Sequence, residues 1–294
     1  MRTFSTALEL GSRAVGELVE LLGDLQRVMR FARGALDYTV RPDDIFISSY
    51  PRSGTTWMQY ILHLLLRPEQ GFEHISQVVP WFERSLAVGT LTAADLEALP
   101  SPRVYKSHLP YRWLPRGARY IYVVRDGRDV AVSYYHFYRS HLRYDGDFDR
   151  FYRRFLRGRV QYRSWFKHVA AWEAAGRDDP RVLILRYEEL RARPDEALDS
   201  LVAFLDLPLL PGRRRDEVLE RSSFEQMKRD ERKFDFATEF LLQSGYSGRG
   251  FLRGGRTGDG QAALSAEQQR AFALRARRPP RLAGLELDLP QFLR

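Results

Sequence analysis

Eight consecutive residues, Tyr50-Pro51-Arg52-Ser53-Gly54-Thr55-Thr56-Trp57, gather a cation, three hydroxyls and a glycine into one short stretch. Asp44–Ser49 before them reads as a strand, and Thr55–Leu66 as a helix that stops before Pro68. A strand–turn–helix start aims unpaired backbone N–H groups at one point, and the helix dipole adds positive potential there. Gly54 allows close backbone approach, while Arg52, Ser53, Thr55 and Thr56 supply further donors. These are the parts of a phosphate cradle. The plain alternative is an N-capped helix after a turn. The first Gly and the Lys of the Gly-x4-Gly-Lys-Ser/Thr loop are both missing, which argues against Mg-ATP and a kinase.

Two more segments carry chemistry. His108 follows a short strand, Arg103–Lys106, at the end where open parallel sheets bind ligands. A lone His after a strand is more often structural, yet imidazole, with its ordinary pKa near 6.5, suits a general base at neutral pH. Lys106, two residues before it, is one of only four Lys against 43 Arg. Arg125 closes a third strand, Arg119–Val124, and Ser133 lies eight residues on, in a helix running from about Asp126 to His141. A bidentate Arg with a hydroxyl holds a phosphate well. By itself Arg-Asp-Gly-Arg-Asp reads equally as a solvated charge run.

At the first octapeptide the chain resembles the cytosolic sulfotransferase family, whose donor loop reads Tyr-Pro-Lys-Ser-Gly-Thr-Thr-Trp; Arg52 stands where that family has Lys. The family's motifs recur in order from about Asp44 to Asp259. The resemblance implies a P-loop-like fold, PAPS as sulfuryl donor and PAP as product, with no metal. It makes His108 the base that takes the acceptor's proton, and gives Lys106 and Arg52 to the transferring group. It assigns Arg125 and Ser133 to the 3′-phosphate, Trp57 and Phe224 to an adenine sandwich, and Tyr187 and Ser222 to the same nucleotide site. Trp81, Phe82 and Phe137 would line the pocket of a small hydroxylated acceptor, aromatic or lipophilic. The last motif departs most. Where the family reads Arg-Lys-Gly-x-x-Gly-Asp-Trp-Lys, this chain has Arg253, Gly254, Gly255, Gly258, Asp259, Gly260 and Gln261 at the matching positions. Arg253 and the Gly255 N–H would still reach the 3′-phosphate, with one cation fewer and Arg256 as a substitute. The family's dimer segment has no counterpart in Gln261–Arg270, so no oligomeric state is implied.

These residues need a scaffold. Strands at Asp44–Ser49, Arg103–Lys106, Arg119–Val124 and Arg181–Leu185 alternate with helices, including one over Pro194–Leu205. That alternation implies a single α/β domain, 41–294, with a central parallel sheet flanked by helices. Before it, residues 1–40 form an N-terminal helical arm: Val15, Leu18, Leu22, Leu25 and Met29 recur at three-to-four spacing, the pattern of a helix packed on the core. Gly245–Gly260 reads as a long loop that orders around an anion.

Composition adds bounds. The chain has 294 residues, 44% of them hydrophobic, and no Cys, which excludes disulfides and thiolate metal sites. The net charge of +9 suits an anionic partner. The Arg bias behind it equally reflects base composition of the genome, and a basic nucleic-acid-binding protein is the rival reading, with no recessed His expected. No apolar run approaches the ~18 residues of a membrane span. The first ten residues lack the build of a signal peptide, so a cytoplasmic protein is expected.

Overall fold

The structure, a computed structural model, describes residues 22–235 and 250–278. The described chain runs through helix α1 (22–37), β1 (Ile45–Ser49), α2 (Thr55–Leu66), α3 (Phe82–Val88), α4 (Ala93–Glu97), β2 (Val104–Ser107), β3 (Arg119–Val124) and α5 (Gly127–His141). It continues with α6 (Phe148–Leu156), α7 (Trp165–Asp178), β4 (Val182–Arg186), α8 (Tyr187–Ala192), α9 (Pro194–Phe204), α10 (Gly212–Arg221) and α11 (Phe224–Arg229). Two helices, α12 (Asp259–Ala263) and α13 (Ala266–Ala276), follow the Gly-rich loop. The described residues divide between two compact units, one with residues 40–81, 100–235 and 250–278, the other with residues 22–39 and 82–99.

The larger unit holds the sheet, of order β2-β1-β3-β4, with every pairing parallel. Period-two alternation sorts its strands into two unlike faces. Phe46 pairs with Tyr105 and with Tyr120, building an aromatic face on which Trp172 of α7 stacks against Tyr122 at 4.8 Å and 9°. The other face carries Ile45, Ile47, Ile121, Val123 and Leu185, which bury against Met58, Ile61 and Leu62 of α2 and Leu198 and Leu201 of α9. Burial on both faces is what a parallel sheet requires. A wholly buried bidentate ion pair stands at the start of β1 and β2: Arg103 donates to both carboxylate oxygens of Asp44 at 2.6 Å. Removing one partner from such a pair costs about 3–5 kcal/mol.

In the smaller unit α1 buries Asp24 and Phe31, while Tyr38, just after the helix, meets Phe82 edge-on at 5.2 Å. Asp24 is paired with Arg27 at 2.7 Å. The apolar stripe behaves otherwise than expected: Leu22, Leu25 and Met29 are 56, 53 and 63% exposed, so it is not packed on a core. The helix buries the opposite side. Val15 and Leu18 lie outside the described residues.

Candidate active site

The parallel register brings the ends of β1, β2 and β3 to one edge of the sheet, and with them the donor loop, His108 and Arg125. The loop turns sharply. Arg52 has φ 70° and Gly54 φ 100°, and a Cβ at Gly54 would stand 2.8 Å from the Tyr187 ring. Gly54 is also the N-cap of α2 and has no side chain to bond the first-turn N–H groups, which suits an anion there. Two buried donors beside it point the same way: Ser53 Oγ and Arg125 Nε have no hydrogen-bond partner. Native structures rarely leave such atoms unpaired. The donor set fits a phosphorylated nucleotide.

Arg125 ties three segments together. It donates to the Arg52 carbonyl at 3.2 Å and to the Arg256 carbonyl at 2.7 Å, and its guanidinium lies 4.5 Å from the Tyr187 ring centroid. Ser133, one helix turn and more into α5, accepts from Arg52 Nε at 3.3 Å. The Gly-rich loop is anchored from the protein side: Asp129 accepts from the N–H groups of Gly258 and Gly260 at 2.9 and 2.6 Å. Tyr187 O–H donates to the Gly255 carbonyl at 3.1 Å, and Arg253 is paired with Asp259. Residues 250–258 therefore have internal ordering contacts, where the sequence suggested order around an anion; 245–249 lie outside the described residues. Gly255, at φ 58°, has no room for a Cβ, which would fall 2.6 Å from the Phe224 ring.

Trp57 meets Tyr187 edge-on at 5.8 Å. Trp57 and Ser222 also line an apolar cavity of about 140 Å³, walled by Ile61, Leu190 and Leu198. Of the four residues expected around the adenine, Trp57 and Ser222 line this cavity, and Tyr187 and Phe224 are not among its lining.

His108 is 5% exposed. Its Nδ1 lies 2.8 Å from the carbonyl of Ser49, the last residue of β1. A carbonyl only accepts, so Nδ1 carries the proton and the ring's basic lone pair is on Nε2. Burial, and next the charge of Lys106, hold the imidazole well below its ordinary pKa. Behind it His168 Nε2–H donates to the His108 carbonyl at 3.0 Å, and Tyr122 O–H donates to His168 Nδ1 at 2.9 Å. Trp81 and Tyr162 present their rings edge-on to His108 at 5.1 and 5.2 Å. Lys106 Nζ sits 4.0 Å from the Trp81 ring centroid, and both residues line a small cavity with Thr56.

Of the expected acceptor-pocket residues, Trp81 lies beside His108 and Phe137 beside Arg52, at 5.2 Å from its Cζ. Phe82 is fully buried and packs on Tyr38 within the smaller unit. Sequence reasoning passed over His168, Tyr162, Asp129 and Phe251. Among the described residues no three His, Cys, Asp or Glu side chains are grouped to hold a metal ion.

Known proteins share this architecture. Residues 42–278 match the family model for the sulfotransferase domain. The chain is 35% identical over 259 residues to sulfotransferase 1A1 of Bos taurus, covering 84% of this chain and 85% of that one. It is 36% identical over 204 residues to sulfotransferase 1B1 of Mus musculus, covering 65 and 68%. Among solved structures it is similar to mouse sulfotransferase SULT7A1 complexed with PAP, at 27% identity and a TM-score of 0.66, over 85% of this chain and 88% of that one. Retinol dehydratase, solved with androsterone and PAP, shares the fold at 22% identity and a TM-score of 0.70, covering 85 and 86%. With its sheet, its cradle and these matches, the chain belongs to the sulfotransferase family.

Proposed function

We propose that this protein transfers the sulfuryl group of PAPS to a hydroxyl of a small aromatic or lipophilic acceptor, with His108 as general base. It is a sulfotransferase, and PAPS is the donor of its family. The observation that carries the reading is the 2.8 Å bond between His108 Nδ1 and the Ser49 carbonyl. That bond puts the ring proton on Nδ1 and the basic lone pair on Nε2, and it ties His108 to the residue that precedes the donor loop.

The reaction balances without a redox step. His108 Nε2 takes the acceptor's hydroxyl proton as its oxygen forms a bond to sulfur. The bond from sulfur to the bridging phosphate oxygen breaks, and its electron pair leaves with PAP. Arg52, Lys106 and the N–H groups at the start of α2 supply positive potential to the sulfuryl and leaving-phosphate oxygens. Such preorganised charge, together with positioning, is what in-line transfer of this type demands. Arg125, Ser133, Arg253 and the Gly255 N–H hold the 3′-phosphate. Trp57, Phe224, Tyr187 and Ser222 hold the adenine. Trp81 and Phe137 give the acceptor side its aromatic wall.

The test has two arms. Purified protein is offered labelled PAPS with a panel of phenols, alcohols and sterols, and its melting temperature is read with PAP and with 5′-AMP. Transfer to at least one hydroxyl, and a larger shift from PAP, are expected, since ligand binding to the folded state stabilises it. No transfer together with equal shifts would sink the proposal.

A further inference from the structure

We infer that Phe251 and Phe137 form an aromatic slot for the Arg52 guanidinium, and that Phe251 is the positioning residue that lets an arginine serve in the donor loop. The inference rests on the proposed role of Arg52 beside the leaving phosphate. Arg52 Cζ lies 4.8 Å from the Phe251 ring centroid and 5.2 Å from that of Phe137. Both distances are within the range of cation–π attraction. Phe251 contributes twice, because its carbonyl also accepts from Arg52 Nη2 at 2.7 Å. Ser133 Oγ takes the Nε proton at 3.3 Å.

The slot answers a specific electrostatic problem. Arg52 shares the site with Arg125, and burial, with that second charge, brings its pKa down to about 10, although the Asp235 carboxylate pulls the other way. At neutral pH it is still a cation, repelled by its neighbour. Ring faces attract a cation without adding a countercharge that would neutralise the cradle. The wall itself is fixed: His141 stacks on Phe137 at 4.6 Å and 13°, and the Phe251 ring meets His141 edge-on at 6.2 Å. A guanidinium is flat and weakly hydrated, so two rings and two in-plane acceptors hold it in one orientation. An ammonium is compact and strongly hydrated, with rotatable donors, and has no plane to clamp. The slot is therefore matched to the flat guanidinium of Arg52, and a lysine there would keep only a less oriented attraction to the ring faces.

A double-mutant cycle tests this. Phe251→Leu, Arg52→Lys and the double variant are compared with wild type by kcat and KM for PAPS, and by the PAP-induced melting shift. Phe251→Leu is expected to lower kcat/KM about tenfold in the Arg52 protein, the weight of about 1.4 kcal/mol, and less than about threefold in the Arg52→Lys background. Phe251→Tyr, which keeps ring and carbonyl, should stay close to wild type. Equal losses in both backgrounds would overturn the slot. If no acceptor is turned over and PAP and 5′-AMP shift the melting temperature equally, the sulfotransfer reading fails by itself; if only turnover is missing, the PAP-induced melting shifts close the cycle. If Phe251→Leu lowers the melting temperature of the ligand-free protein, Phe137→Leu in the two backgrounds gives the same comparison, with the same outcome overturning it.

Discussion

The His108 imidazole hydrogen-bonds through Nδ1 to the Ser49 carbonyl at 2.8 Å, so a residue at the end of β2 takes its tautomer from the end of β1. Because the two strands are paired in parallel, His108 and the donor loop leave the sheet at the same edge.

From this the acid limb of activity follows. Burial first, then Lys106, keep His108 well below the ordinary value of 6.5, so the neutral, base-competent ring persists into mildly acid solution. The limb of kcat/KM should lie on the acid side of an ordinary imidazole's, and Lys106→Gln, by removing a positive neighbour, should move it upward. His108→Ala should cost about 10²–10⁴ in rate with PAP binding within a few-fold of wild type. A pH profile with its acid inflection above 6.5 would count against the assignment.

The Gly-rich loop makes a second prediction. Gly254 does not occupy the left-handed region, and a Cβ there would meet only Arg256 Cγ, at 3.9 Å. Gly254→Lys is therefore accommodated, and should tighten PAPS binding by at most about 1.5–3 kcal/mol, the weight of one charge-assisted hydrogen bond. The gain should shrink for an analogue without the 3′-phosphate. Titration calorimetry showing no gain for either nucleotide would mean that Arg125, Ser133 and Arg253 already saturate the anion. Restoring the family's Trp at position 260 is a different matter: a Cβ at Gly260 would fall 2.3 Å from the Arg128 backbone.

A third prediction concerns stability. His168 is held at about 4 by burial. Its folded value lies below the unfolded one, so the unfolded chain binds the extra proton between them. The contribution is therefore complete above about pH 6.5 and is lost as pH falls toward 4, by about 3 kcal/mol. Urea unfolding at pH 7 and 4.5 should show a smaller acid loss for His168→Gln than for wild type. Burial lowers His108, His63, His74 and His136 too, so only the difference between the proteins isolates this residue. Identical slopes would rule the contribution out.

Much of the scaffold was legible. The four strands fall within one residue of where β-rich apolar runs between turn signals place them, and α2 and α5 follow the 3.6-residue pattern. The stripe on α1 was legible as a period but not as a packing face, because spacing says which residues share a side and not which side is covered. Leu25 is exposed while Asp24, its neighbour in sequence, is buried and paired with Arg27. Phe251, Tyr162 and His168 gave no signal. Tyr162 owes its place to a left-handed backbone at φ 64°, and Phe251 reaches Arg52 across 199 residues of sequence. Tertiary approach of that kind leaves no local trace in composition or periodicity.

Those long reaches also set a timetable. Arg52 bonds the carbonyl of Phe251, and Arg125 that of Arg256, across 199 and 131 residues. At about 5–20 residues per second of synthesis, the donor loop is made roughly 10–40 s before Phe251. All four strands are complete once Arg186 has been added. A nascent chain thus has the residues of all four strands well before it has those of the Gly-rich loop, and a protease that removes residues 250–278 takes the partners of Arg52 and Arg125 while sparing the strands. A chain ended before Phe251 would carry all four strand sequences and lack the carbonyls that accept from Arg52 and Arg125.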